Sequence, residues 1–191
     1  KQPWNHTHIN ENDCFKININ NSNSAYAEGK RIAELYSSTY YEKYNLPIKI
    51  ARCFAFVGPY LPLDTHFAIG NFINNVLKNE DIIIKGDGST IRSYMYASDL
   101  MIWLWRILIN GEKIIPYNVG SDESISIKEL AEKINEISNS KVSVKILGLP
   151  VQKEHIDIYC PSITKAQTIN AFIKVQLSES IEKTINFYES H

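Results

Sequence analysis

Hydrophobic and polar positions follow two different periods along the chain, and the period switches repeatedly. Apolar side chains recur every three or four residues, the spacing of an amphipathic helix, in several segments. These segments lie at 25–44, 69–77, 99–110, from 126 onward, and at 178–188. Short runs rich in β-branched residues separate them, at 48–57, 82–85, 92–96, 117–120 and 142–147. Strands that alternate with helices predict the α/β class.

The run at 48–57 is nearly continuous in apolar character. Such a run predicts a strand that is buried on both faces of a parallel sheet. The sequence Gly-Asp-Gly-Ser at 86–89 lies between two strand-like runs and is a turn signal.

Two helix starts carry capping signals. Ser24 precedes the first helix, where its hydroxyl could accept a free backbone N–H. Ser126 and Glu129 have the spacing of a capping box. The Asn-rich residues 1–24 show almost no apolar period, so we predict a loop or arm there and one globular unit over 25–191.

Composition narrows the class of protein. The chain has 191 residues, 44% of them hydrophobic, and a net charge of −1, which gives no reason to expect nucleic acid as a partner. Cys14, Cys53 and Cys160 are far apart and lack metal-ligand spacing, so we expect no metal site and a reduced, cytoplasmic setting. The longest apolar stretch, 100–109, is too short to cross a membrane.

Tyr26 and Lys30 are four residues apart in the first predicted helix. Both side chains therefore lie on one face, where the ammonium can stabilise a phenolate and make the tyrosine a usable acid or base. A tyrosine and a lysine at this spacing also arise by chance. The alternative is a surface helix that bears two amphipathic side chains.

Further motifs follow this pair in a fixed order. They are Tyr-Ala-Glu-Gly-Lys-Arg-Ile-Ala-Glu at 26–34, Arg-Cys-Phe-Ala-Phe-Val-Gly-Pro at 52–59, Gly-Asp-Gly-Ser-Thr-Ile-Arg-Ser at 86–93, Asp-Leu at 99–100, and Tyr-Asn-Val-Gly-Ser at 117–121. Together they resemble the extended short-chain dehydrogenases/reductases, the NAD-dependent nucleotide-sugar epimerases and dehydratases that include dTDP-glucose 4,6-dehydratase. The resemblance covers 25 to about 188. It implies the C-terminal part of a Rossmann-type parallel sheet and a small α/β substrate-binding domain.

The resemblance also implies which residues act on or contact the cofactor. Tyr26 would remove a sugar hydroxyl proton while hydride passes from the sugar to NAD, and Lys30 would hold the nicotinamide ribose. Phe54 resembles an aromatic residue near the nicotinamide, although a buried core residue fits the pattern equally well. The bound partner would be a nucleotide-diphosphate sugar.

The substrate side would include Arg92, Asn71 and Lys85. Arg92 matches an arginine that relatives use on the diphosphate, and its alternative is a strand-edge arginine that faces water. Asn71 aligns with an asparagine near the diphosphate site, and its alternative is plain solvation. Lys85 stands where relatives often have an aromatic residue that stacks on the base, so base identity is open. Asp99 matches a structural aspartate, for example a helix cap.

Two departures limit the match on the substrate side. Ala55 replaces an asparagine that binds substrate in many relatives. Ile158 and Tyr159 occupy a segment in which many relatives place a second phosphate-binding arginine. We therefore expect a diphosphate clamp that is weaker or built differently.

A Gly-x-Gly-x-x-Gly turn, which would receive the cofactor pyrophosphate, is absent from the sequence. We expect NAD to bind through a longer parent protein, and this chain alone to be inactive. Apolar faces should then be exposed and associate with the missing N-terminal half or a second copy.

Two functions remain open. The first is an NAD-dependent 4,6-dehydratase or epimerase of surface-polysaccharide synthesis, such as that of O-antigen. The second is a non-catalytic nucleotide-sugar-binding module that lacks the cofactor site. A general carbonyl reductase fits the motifs less well.

Overall fold

The computed structural model describes residues 8–13, 18, 20–65, 67–149 and 156–191. The helices are α1 (Ala25–Tyr44), α2 (Ala68–Leu77), α3 (Ala97–Asn110), α4 (Ile127–Ile137), α5 (Thr164–Gln167) and α6 (Leu177–Ser190). The strands are β1 (Ile50–Cys53), β2 (Phe56–Val57), β3 (Ile82–Ile84), β4 (Ile91–Arg92), β5 (Met95–Tyr96), β6 (Pro116–Val119), β7 (Ile125–Ser126), β8 (Val144–Ile146) and β9 (Ile158–Tyr159). The α/β class is confirmed.

Strand pairing is mostly parallel. β1 pairs with β6, β2 with β5, and β3 with β8, all in parallel. β4 lies between β7, which runs antiparallel to it, and β9, which runs parallel. The turn at 86–89 therefore does not close a hairpin, because β3 and β4 have different partners. β7, β9 and α5 were not predicted, since two to four residues are too few to show a period.

The predicted continuous strand at 48–57 is wrong in two respects. It breaks at Phe54 and Ala55, where the chain leaves β6 and joins β5: the Phe54 N–H donates to Val119, and Ala55 accepts from Met95. It is also not buried on both faces, because Cys53 is exposed. Cys53 and Cys160 are free thiols, and Cys14 lies outside the described residues.

Two apolar clusters form the core. The first joins α2, α4 and α6 to β3 and includes Ile73, Ile82 and Leu130, each 0% exposed. The second lies under α3 and β6 and includes Trp103 and Val119, also 0% exposed. The first cluster supports one wall of the cavity described below.

Helix α1 has no buried residue. Glu34 accepts both hydrogen bonds of a fork from Arg52, at 2.8 Å each, and Arg52 also donates to the Glu11 carbonyl. The expected exposed apolar faces are present on α1 and α3, and their association with another chain stays a prediction. Their large exposed side chains are Tyr26, Ile32, Leu35, Tyr36, Tyr40 and Tyr44 on α1, and Met101, Ile102, Trp105, Leu108 and Ile109 on α3.

The predicted cap at Ser24 is wrong. Its hydroxyl donates to the Asn18 carbonyl at 2.7 Å and makes no capping bond to α1. Ser24 ends a 3₁₀ turn, Ser22–Ser24, and already has helical dihedral angles, so its backbone does not have the extended conformation that is typical of a cap.

The arm predicted over 1–24 is described only in part. Ile9 is buried and pairs in parallel with Pro161, so this stretch of the arm is bound to the body of the protein. None of the helices in the described ranges is both long enough and apolar enough to cross a bilayer.

The capping box of α4 is confirmed. The Ser126 hydroxyl accepts from the Glu129 N–H at 3.2 Å, and the Glu129 carboxylate accepts from the Ser126 N–H at 2.9 Å. Hydrogen bonds from the Ser126 hydroxyl and then its backbone lower the pKa of Glu129. The ionised carboxylate therefore stabilises the fold above its unfolded-state pKa, and this contribution is lost as pH falls through the folded-state pKa.

Ser126→Ala is expected to lower the free energy of unfolding by about 1 kcal/mol, the usual cost of losing an N-cap hydroxyl. Urea unfolding at neutral pH measures it. Ser124→Ala, an exposed serine two residues earlier, is the matched control and should change nothing. Equal stability of the two variants would contradict the prediction.

Candidate active site

A cavity of about 1060 Å³ lies between the start of α1, the polar face of α2 and the loop after β3. Five predicted site residues line it: Tyr26, Phe54, Asn71, Lys85 and Arg92. Lys30 is outside the lining, but its ammonium lies 5.4 Å from the centroid of the Tyr26 ring. The fold thus brings together side chains from five separate stretches of sequence. Their individual roles stay predictions.

Tyr26 is the second residue of α1, and its side chain extends from an unburied helix at the cavity margin. The residue is 77% exposed, so its phenol is open to a bound molecule. Lys30 follows one turn later on the same face, as the four-residue spacing predicts. The same exposure also suits the alternative of two amphipathic surface side chains.

Phe54 occupies the break between β1 and β2. Its ring stacks on Tyr159 with centroids 4.7 Å apart and an angle of 29° between the planes. Behind it, Gly120 approaches so closely that an added Cβ would lie 3.0 Å from the Phe54 Cβ. Phe54 is therefore half-buried in the cavity wall rather than in either apolar cluster.

Arg92 lies on β4, between β7 and β9, so it is not a strand-edge arginine. Its Nη2 atom is 2.9 Å from a carboxylate oxygen of Asp157, and its Nη1 atom donates to the Ile91 carbonyl at 2.8 Å. The Asp157 side chain is 66% exposed, whereas that of Arg92 is 27% exposed. A bound anion could therefore displace Asp157 into solvent and retain the guanidinium.

The loop that carries Lys85 is held by hydrogen bonds to a side chain and by close backbone packing. Asp87 accepts from both the N–H and the hydroxyl of Ser89, at 3.1 and 2.8 Å. Gly148 packs against the Gly86 carbonyl, where an added Cβ would approach to 2.3 Å. Only glycine fits at this contact, so the Gly-Asp-Gly turn has a steric partner after β8 as well as a conformational role.

Asn71 lies in the first turn of α2, and Asn75 lines the cavity one turn later. The i, i+4 spacing could have identified Asn75 from the sequence. Tyr94 also lines the cavity, and burial raises its pKa to about 12, although Arg92 opposes the shift. Tyr94 is therefore a neutral wall residue, and no sequence signal singled it out.

Asp99 has a structural position, as predicted, but not as a helix cap. It is 1% exposed and lies inside the first turn of α3, while Tyr96 occupies the cap position. One carboxylate oxygen accepts from the backbone N–H groups of Lys174 and Val175, at 2.8 and 3.0 Å. The carboxylate ties α3 to the segment before α6.

The sequence also matches a known protein family. Residues 3–120 match the NAD dependent epimerase/dehydratase family. UDP-glucuronic acid decarboxylase 5 from Arabidopsis thaliana is 32% identical over 163 residues, which are 83% of this chain and 46% of that protein. The chain thus spans about half the length of the curated relatives it matches.

Solved structures share the fold. The X-ray structure of Pal from Bacillus thuringiensis superposes with a TM-score of 0.80 and 30% identity, over 96% of this chain and 57% of that one. The NAD complex of dTDP-glucose 4,6-dehydratase from Bacillus anthracis gives a TM-score of 0.78 and 22% identity, over 96% and 56%.

The order of the motifs, the contribution of three of them to one cavity and the match over more than half of the residues lead to the same conclusion. This chain belongs to the NAD dependent epimerase/dehydratase family.

Proposed function

We propose that this chain is the C-terminal, substrate-binding and catalytic portion of an NAD-dependent enzyme that acts on a nucleotide-diphosphate sugar. The observation that carries the proposal is the single cavity that Tyr26 and Arg92 both line. A candidate base at one margin and a cation on the wall suit a ligand with a reactive sugar and a diphosphate.

Tyr26 is the proposed base at the sugar C4 hydroxyl. Its phenolate oxygen accepts the O4 proton as the C4–H bond breaks and the C4 carbonyl forms. NAD, when bound, accepts the hydride and so takes up the two electrons. The ammonium of Lys30 lies 5.4 Å from the centroid of the Tyr26 ring, next to the proposed base.

The described residues fit one end of such a cofactor. Tyr26 and Lys30 are both exposed on one face of α1, and Phe54 offers an aromatic ring in the adjoining wall. We propose that Lys30 hydrogen-bonds the nicotinamide ribose and that Phe54 packs near the nicotinamide. The pyrophosphate would need a glycine-rich turn outside this sequence.

A C4 ketone allows more than one outcome. Hydride return to the opposite face inverts C4, and the ketone also acidifies C5, which permits loss of water. In a uronic acid the C6 carboxylate is β to the ketone, so the C5–C6 bond can break with release of CO₂. The decarboxylase relatives favour this last outcome for the reaction class, and epimerisation or 4,6-dehydration remain candidates.

A non-catalytic nucleotide-sugar-binding module is the second candidate. It is favoured by the segment that contains Ile158 and Tyr159, where many relatives place a second phosphate-binding arginine and this chain has Ile158. NAD distinguishes the two: a catalytic parent protein should melt at a higher temperature with NAD, and a binding module should not.

Arg92→Gln is expected to weaken the binding of UDP-glucuronic acid or dTDP-glucose about tenfold or more, the effect of losing a charged hydrogen bond. Titration calorimetry of this chain measures the dissociation constant. Arg106→Gln, which removes an exposed arginine on α3, is the matched control and should bind normally.

Two results would contradict the proposal. One is that the unmodified chain binds neither nucleotide sugar. The other is that Arg92→Gln and Arg106→Gln bind equally well, which would place the diphosphate away from β4.

A further inference from the structure

Tyr159 lines the same cavity as Tyr26 and Arg92, the two residues to which the proposed function assigns roles. It is the residue of β9 that stands opposite Arg92 of β4 in the parallel register. The Arg92 guanidinium carbon is 5.9 Å from the centroid of the Tyr159 ring. Tyr159 also lines the cavity, together with Tyr26. Its side chain therefore lies beside Arg92 in the cavity that Tyr26 also lines.

The Tyr159 ring is held in place by its neighbours. Phe54 stacks on it at 4.7 Å, which limits rotation of the ring. Among the residues that the structure describes, the Tyr159 hydroxyl has no hydrogen-bond partner. A fixed phenol with no hydrogen-bond partner in the described ranges, at the margin of a cavity, has its hydroxyl available to a ligand.

This phenol stays neutral in the site. Burial raises the pKa of Tyr159, the nearby Tyr26 phenol raises it further, and Arg92 acts in the opposite direction. A neutral phenol can donate one hydrogen bond and accept another, whereas a guanidinium at the same place would donate only and bring a charge. The wall next to Arg92 thus offers a polar contact without a second cation.

We propose that Tyr159 is a positioning residue: its hydroxyl hydrogen-bonds the ligand between the anionic group at Arg92 and the sugar hydroxyl at Tyr26. This inference rests on the proposed function, because it uses the same cavity. It adds a contact that is distinct from those of Arg92 and Tyr26. The neutral Tyr159 hydroxyl on β9 makes a hydrogen bond that orients the distal phosphate and the sugar.

Tyr159→Phe removes only the hydroxyl and retains the stack on Phe54. Calorimetry should show UDP-glucose binding weakened about fivefold, the usual effect of one neutral hydrogen bond, while UMP binding is unchanged. UMP lacks the distal phosphate and the sugar, so its dissociation constant reports the rest of the site. The pair dTDP-glucose and dTMP is titrated in parallel in case the base differs.

A second variant tests the same position by adding a charge. Tyr159→Arg should tighten UDP binding relative to UMP by about tenfold or more at low salt, and the gain should shrink as salt rises. Tyr60→Phe and Tyr60→Arg are matched controls, because Tyr60 is 84% exposed and outside the cavity lining. Neither control should alter the ratio of dissociation constants.

The outcomes separate the two proposals. If the unmodified chain binds none of these nucleotides, both are overturned. If it binds them, two ratios of dissociation constants test Tyr159: UDP-glucose over UMP in Tyr159→Phe, and UDP over UMP in Tyr159→Arg. If both ratios equal those of the unmodified chain, only the role of Tyr159 is overturned. Equal weakening of UDP-glucose and UMP in Tyr159→Phe would also overturn it, since that result indicates a general structural effect.

Discussion

Tyr26→Phe, in the whole protein to which this chain belongs, is expected to lower kcat about 10³-fold, within the range that a positioned acid–base group contributes. The phenylalanine retains the ring beside Lys30 but has no oxygen to accept the O4 proton. Because Tyr26 is 77% exposed and α1 has no buried residue, the change should leave the fold intact. Turnover is measured as consumption of the nucleotide sugar with NAD present.

The binding measurement makes this test specific. The dissociation constant of the nucleotide sugar should change less than about twofold, because Arg92 and the loop after β3 are unaffected. Tyr36→Phe removes a hydroxyl from another exposed tyrosine of α1 and should turn over normally. Full activity of Tyr26→Phe would exclude Tyr26 as the base, even if the family assignment stands.

Trp103→Ala is expected to lower the free energy of unfolding by about 3–5 kcal/mol, the usual cost of truncating a buried aromatic side chain. Trp103 is 0% exposed in the cluster under α3 and β6. Its indole N–H donates to the Phe172 carbonyl at 3.2 Å, so the change also removes that hydrogen bond. Urea unfolding followed by circular dichroism measures the loss.

Trp105→Ala provides an unusually close control for this prediction. It makes the same truncation two residues later, on the opposite face of the same helix, where the side chain is 59% exposed. We expect a change within about 0.5 kcal/mol, as for most surface substitutions. A loss for Trp105→Ala as large as that for Trp103→Ala would show that another chain covers the outer face of α3 under the conditions used.

The helices that the hydrophobic period predicts were the most accurate of the predictions from sequence. The first helix was predicted over 25–44 and is observed at Ala25–Tyr44, because its ends coincide with a polar arm and a loop. The capping box at Ser126 was also confirmed, since it needs only residues three apart. Local geometry is sufficient for both.

The corrections share a different cause. Whether 48–57 continues as one strand depends on which strands lie beside it, and the switch from β6 to β5 breaks it at Phe54. Asp99 was interpreted as a possible cap, but its hydrogen-bond partners, Lys174 and Val175, lie 75 and 76 residues later. No local pattern specifies contacts at that separation.

The sequence by itself determined the α/β class, the positions of the longer helices and the family. These depend on side-chain period, local capping and motif order, all of which can be read along the chain. Only the tertiary structure decided which side chains share one cavity, and it added Tyr159 beside Phe54 and Arg92. Strand register placed Tyr159 opposite Arg92, and register is set by long-range packing rather than by neighbours in sequence.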